Sequence, residues 1–131
     1  MTFDAITISQ ILLLLFLAIV FLQSGIDKIV DWKGNLGWLK SHFSKTFFAG
    51  QVSLLLFSIL ILECVSGALA TIGVIMIVLG KVSTIPLYAA SLSAVSLLCL
   101  LLGQRLAKDY EGAKTIVIYL MPTLFLLYLL Q

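Results

Sequence analysis

The residue whose chemistry most needs an explanation is Glu63, which lies inside the apolar run of residues 54–70. A carboxylate in hydrocarbon lacks water, and at the centre of a membrane helix an acid costs about 2.5–3.5 kcal/mol unless it is neutral or paired. Counting helical rise along antiparallel helices places Gln10 and Ser93 at its depth. Since neither is a cation, we expect Glu63 to be a neutral acid hydrogen-bonded to them. Gly67, one turn later, shares its face and predicts close helix packing.

A second group of polar residues lies where the apolar runs end. Its members are Gln23, Lys28, Arg105, Asp109 and Glu111. A ring of this kind could hold a polar headgroup or the carbonyl edge of a quinone, while apolar helix walls enclose the tail. Capping of the last helix also accounts for Asp109 and Glu111, and Lys28 can extend to the membrane surface without any ligand. Both interpretations are open.

Other reactive residues are few. His42 is the single histidine, and the two cysteines, Cys64 and Cys99, do not form a Cys-x-x-Cys motif. We therefore predict no metal site, no thiol relay and no covalently bound cofactor. We expect both cysteines to pack as small buried hydrophobic residues.

The composition identifies the environment that must position these residues. Hydrophobic residues make up 62% of the 131 and charged residues 11%, with a mean hydropathy of +1.20. These values are typical of an integral membrane protein, here a single membrane domain over residues 1–131. The formal net charge of +2 gives no support to a nucleic-acid partner.

Four apolar runs are long enough to cross about 30 Å of hydrocarbon as helices. They cover residues 6–29, 48–74, 83–103 and 115–130. The sequence thus predicts an all-α, four-helix antiparallel bundle. Between the first two spans, apolar and basic residues alternate at helical spacing, which predicts an amphipathic segment along the headgroup region. Its inward side has Trp32, Leu36, Leu39, Phe43 and Phe47, and its outward side has Lys33, Lys40 and Lys45, with His42 also mostly outward.

Basic residues predict the orientation. Seven lie in the first and third connections, and only Lys81 lies on the opposite side. The seven are Lys28, Lys33, Lys40, Lys45, Arg105, Lys108 and Lys114. By the positive-inside rule, the first and third connections are cytoplasmic and both termini lie outside.

Three short motifs together resemble the DoxX family of small four-helix bacterial membrane proteins. The end of the first span has the family's Gly-x-x-Lys pattern at Gly25 and Lys28. The second span has Glu-x-x-x-Gly at Glu63 and Gly67, with a further glycine at Gly73. The lead into the last span is similar to the family's Asp-x-Glu, at Asp109 and Glu111. The resemblance implies a location in the bacterial inner membrane.

The resemblance and the residues together suggest three functions. Some DoxX relatives belong to a membrane thiosulfate:quinone oxidoreductase, and others associate with thiol or oxidative-stress systems. We expect a non-catalytic accessory or scaffold subunit that contacts lipid and other membrane subunits. The alternative is a quinone- or lipid-binding subunit that supports a membrane oxidoreductase. A small-solute transporter that uses Glu63 is the third candidate, because intramembrane acids are typical of proton coupling.

Overall fold

The computed structural model of the chain describes residues 4–44 and 49–130. Within them the secondary structure is helical, and its elements are α1 (Ala5–Val30), α2 (Trp32–His42), a short 3₁₀ helix (Ala49–Gln51), α3 (Val52–Val78), α4 (Ile85–Leu106) and α5 (Tyr110–Leu129). α1, α3, α4 and α5 are each long and apolar enough to cross a membrane. The chain is therefore a multi-pass, all-α membrane protein, as its sequence predicts. Lys45, Phe47 and the expected start of the second span at Phe48 lie outside the described residues.

The four long helices form an antiparallel ring in the order α1, α3, α4, α5, with α5 returning to α1. The centre of the ring is filled by large apolar side chains that are almost fully buried: Leu14, Leu17, Phe21, Leu97 and Leu126. The ring closes where the start of α1 meets the end of α5, because Gln10 Nε2 donates to the Leu129 carbonyl oxygen at 2.7 Å. Most of the remaining helix surface is apolar and outward-facing, as a lipid environment requires.

Helix ends are closed by local hydrogen bonds. The Asp4 carboxylate caps α1 by accepting a hydrogen bond from the Thr7 amide at 2.8 Å. Hydrogen bonds from the amide and the side chain of Thr7 hold the pKa of Asp4 below its usual value. At the end of α3, Gly80 adopts a positive φ of 72°, which lets the Lys81 amide bond back to the Met76 carbonyl. Lys108 adopts the same conformation after α4, with φ 61°. For a residue other than glycine, this left-handed backbone conformation costs about 1–2 kcal/mol.

Two glycines set how closely α1 and α3 approach. A Cβ atom at Gly67 would lie 2.7 Å from Leu22 Cδ2 and 3.1 Å from the Leu22 backbone nitrogen. A Cβ atom at Gly25 would lie 2.9 Å from Cys64 Sγ. Because neither position has room for a side chain, the two helices pack backbone against side chain along this seam. The contacts also fix their register, with Gly25 level with Cys64.

In this register, α3 extends further than α1 at one end of the bundle. From the level of Gly25 and Cys64, α1 continues for five residues to Val30, whereas α3 extends back for twelve residues to Val52. At the helical rise, the first turns of α3 project about 10 Å beyond the end of α1. The segment that follows α1 therefore lies beside α3, over this gap.

α2 lies at this end, and only Asp31 separates it from α1. Asp31 closes α1, because its amide bonds to the Asp27 carbonyl at 3.1 Å, and its side chain caps α2 at the Gly34 amide. Half-buried apolar residues follow one side of α2 and continue past its end, whereas Lys33 and Lys40 are exposed. The half-buried residues are Trp32, Leu36, Leu39 and Phe43. The predicted amphipathic pattern is confirmed over its described part except at His42, which was expected mostly outward and instead lies 3.2 Å from Gln104 Oε1.

The seam between α1 and α3 generates a prediction. Replacing Gly67 with alanine should force Leu22 and its backbone away, and we expect a loss of about 1–3 kcal/mol in the free energy of unfolding. The matched control is Gly37→Ala on α2, where a Cβ atom meets nothing within 4 Å. This control should be neutral or stabilising by up to about 1 kcal/mol, because alanine favours the helix. Thermal denaturation in detergent compares the two, and equal melting temperatures would contradict the close approach.

Candidate functional site

The centre of the candidate site is an ion pair between Lys28 of α1 and Glu63 of α3. Lys28 Nζ lies 3.0 Å from Glu63 Oε1 and donates a hydrogen bond to Oε2 at 3.2 Å. It also donates to Ser24 Oγ, one turn earlier on α1, at 2.7 Å. The Glu63 side chain is 1% exposed and that of Lys28 17%. A cation therefore compensates the buried acid within the same chain.

The predicted partners of Glu63 are wrong. Gln10 bonds to the end of α5, and Ser93 Oγ is buried without a hydrogen-bond partner among the described residues. The expectation of a neutral acid depended on there being no cation at its depth, and Lys28 is that cation. The depth count failed for α1, where it reached Gln10, because α3 begins about 10 Å beyond the end of α1 rather than level with it. In the structure α2 turns aside at this end, so Glu63 lies level with the end of α1.

A cleft of about 390 Å³ opens between α2 and the ends of α3 and α4, with Lys28 in its wall. The gap left by the short α1 provides this space. The lining is mainly aliphatic and aromatic, from one face of α3, the last turns of α4 and the inner side of α2. Its apolar members include Trp38, Leu39, Phe43, Leu55, Leu56, Ile59, Leu100 and Leu102, and its polar members are Lys28, Asn35 and Gln104. Sequence reasoning missed Asn35 and Gln104 because neither belongs to a recognisable motif.

The end of α2 is attached to the connection between α4 and α5 through His42. His42 Nε2 lies 3.2 Å from Gln104 Oε1 and 3.6 Å from Asp109 Oδ2. Its ring stacks on Trp38, with centroids 4.4 Å apart. Asp109 also caps α5 by accepting from the Gly112 amide at 3.0 Å, as the sequence predicts. His42 thus faces inward, and its contacts hold the wall of the cleft that α2 supplies.

The predicted ring of polar residues is not assembled around one ligand position. Of its five members, Lys28 alone is among the residues that line the cleft. Gln23 and Glu111 are exposed, and the Arg105 guanidinium lies over the Tyr110 ring at 4.8 Å, where a cation–π contact stabilises it. Asp109 reaches the cleft only indirectly, through His42.

The positions of the cysteines and of the side chains that could bind a metal limit the chemistry of this site. Cys99 is exposed and lines the cleft, contrary to the expected burial, and Cys64 is half-buried. No group of three His, Cys, Asp or Glu side chains with the spacing of a metal site occurs in the described ranges. A mainly apolar cleft with a few convergent polar groups is suited to binding an amphipathic molecule.

No protein family, curated protein or solved structure matches the chain. Four residues that the sequence analysis singled out on the first two spans meet in space. Lys28 pairs with Glu63, while Gly25 and Gly67 form the seam between the same two helices. The first two motifs are therefore two sides of one helix–helix contact.

The ion pair generates a second prediction. Lys28→Met leaves a nearly fully buried carboxylate without its cation, and we expect a loss of about 3–5 kcal/mol in the free energy of unfolding. In the double variant Lys28→Met/Glu63→Gln both charges are gone, so most of this loss should be recovered. Denaturant titration in detergent micelles measures both variants. Equal stability of the single and double variants would show that Glu63 does not depend on Lys28.

Proposed function

We propose that this chain is a DoxX-like accessory subunit that holds a quinone or lipid molecule in its cleft for a larger membrane complex. The observation that carries the proposal is the 390 Å³ cleft with Lys28 among the residues of its wall. Its volume lies in the range of small-molecule binding sites, about 300–1,000 Å³. A headgroup ring and the first part of its tail fit within this space.

The position of the cleft supports a ligand drawn from the bilayer. It lies under α2, whose lysines are exposed and whose Trp32, Leu36 and Leu39 are half-buried, as in helices that rest at the membrane surface. A molecule with its headgroup at this level can place the polar end near Lys28 and its tail against the apolar lining of the cleft. Such a ligand does not have to leave the membrane to bind.

An accessory role is supported by the kind of groups that the cleft presents. Lys28, Asn35 and Gln104 donate or accept hydrogen bonds, and a quinone bound by them needs an electron donor from another protein. The binding subunit then sets the position of the carrier, and a partner supplies the electrons. In this proposal the DoxX resemblance accounts for the connection with quinone-linked oxidoreductases and for a place in the bacterial inner membrane.

Filling the cleft tests the binding function. Cys99→Trp puts an indole ring into the cleft, and we expect the amount of quinone or lipid that copurifies per protein to fall to about a tenth or less, because the ring takes the ligand's volume. The matched control is Leu98→Trp, at the neighbouring exposed position that is not among the cleft-lining residues. Organic extraction followed by mass spectrometry measures the ligand. Equal ligand content in both variants would contradict binding in the cleft.

The accessory role has its own test. We expect the full chain, purified from its native membrane in a mild detergent, to migrate with at least one further membrane protein and to crosslink to it. Native mass spectrometry determines the mass of the assembly. A monomer that retains its ligand would overturn the accessory role and leave the binding function intact.

A further inference from the structure

We infer that the cleft selects an amphiphile whose headgroup is uncharged and presents an oxygen acceptor to Lys28. This inference rests on the proposed binding function and names the ligand class. Quinones and acylglycerols share the required chemistry, whereas phospholipids present an ionised phosphate and fatty acids a carboxylate.

Charge balance at the cleft is the first argument. Lys28 is the cation among its lining residues, and the remaining polar members, Asn35 and Gln104, are uncharged amides. Glu63 holds its carboxylate 3.0 Å from the Lys28 ammonium, so the pair carries no net charge. An anionic headgroup would lose its water and meet a cation that is already neutralised.

The remaining hydrogen-bonding capacity of Lys28 is the second argument. An ammonium group has three N–H donors. The described acceptors are Ser24 Oγ and the Glu63 carboxylate, whose Oε1, 3.0 Å from Nζ, can share one N–H with Oε2. One donor is therefore left for a molecule in the cleft, and a carbonyl or hydroxyl oxygen can accept it.

The exposed lysines supply the contrast. Lys33 and Lys40 lie on the outward side of α2 and are not among the residues that line the cleft. They attract anionic lipid to the protein surface without adding charge to the cleft. Surface attraction and cleft selectivity are thus assigned to different residues.

The experiment compares three probes with similar tails: a decyl benzoquinone whose other ring positions all carry methyl or methoxy groups, so that it does not add to thiols, 1-decanoylglycerol and decyl phosphate. Protection of Cys99 from alkylation reports occupancy, in a full chain in which Cys64→Ser removes the second thiol. We expect protection by the quinone, by the acylglycerol or by both at concentrations about tenfold or more below those needed for decyl phosphate. Which neutral probe protects better distinguishes the two sources of the ligand.

Removing charges from the Lys28–Glu63 pair should change the relative affinity of the cleft for neutral and anionic probes. Glu63→Gln removes the compensating charge and leaves the Lys28 ammonium facing the cleft, so decyl phosphate should bind about tenfold more tightly than to the parent chain. Lys28→Met/Glu63→Gln removes both charges and the free donor. It should bind the neutral probe about tenfold more weakly and should not gain affinity for the phosphate.

Lys33→Met is the control for surface charge, and it should leave the order of the three probes unchanged. Melting curves identify any variant that does not fold. If Glu63→Gln does not fold, the loss of neutral-probe affinity in the double variant decides the inference.

The outcomes separate the two proposals. Protection by none of the probes would overturn the binding function itself. Protection by decyl phosphate at or below the concentration of the neutral probes would overturn the charge selectivity alone. A folded Glu63→Gln variant that binds decyl phosphate no more tightly than the parent chain does would also overturn the charge selectivity alone.

Discussion

The close register between α1 and α3 is the constraint on which the rest of the structure depends. Gly25 and Gly67 allow the two helices to touch, and this contact fixes Lys28 opposite Glu63. In the same register, α1 ends about 10 Å short of the level at which α3 begins. The ion pair and the gap beside it thus have one origin, and α2 and the cleft occupy the gap.

The parts of the fold that depend on hydrophobicity could be predicted from the sequence. The four spans were identified within a few residues except at the start of α5, which begins at Tyr110 because the cap at Asp109 allows polar residues into its first turn. The partner of Glu63 could not be predicted. Its identity depends on how far the connection after α1 extends along the bundle, and that distance follows from packing between helices. Amphipathic periodicity showed that α2 forms, but it does not show which helix ends α2 covers.

The cleft illustrates the same limit. Of the five polar residues that the sequence placed near a ligand, Lys28 lines the cleft and Asp109 acts through His42. Asn35 and Gln104 reach it because α2 and the end of α4 face each other. Spacing along the chain identifies residues that share a helix face, whereas a cleft between helices combines residues from separate segments. For the same reason Lys28, which could have been a solitary surface lysine, has two partners in its own chain.

The single residue between α1 and α2 has a mechanical consequence. Asp31 interrupts the helix with φ −124° and ψ 54° and is bonded on both sides, to Asp27 and to Asn35. Because these bonds hold the one residue between the helices on both sides, the direction of α2 is set directly by the end of α1. Lys28 is three positions from the joint. The side of the cleft that α2 supplies and the Lys28 side chain are therefore joined through a single residue, and the far end of α2 is held at His42.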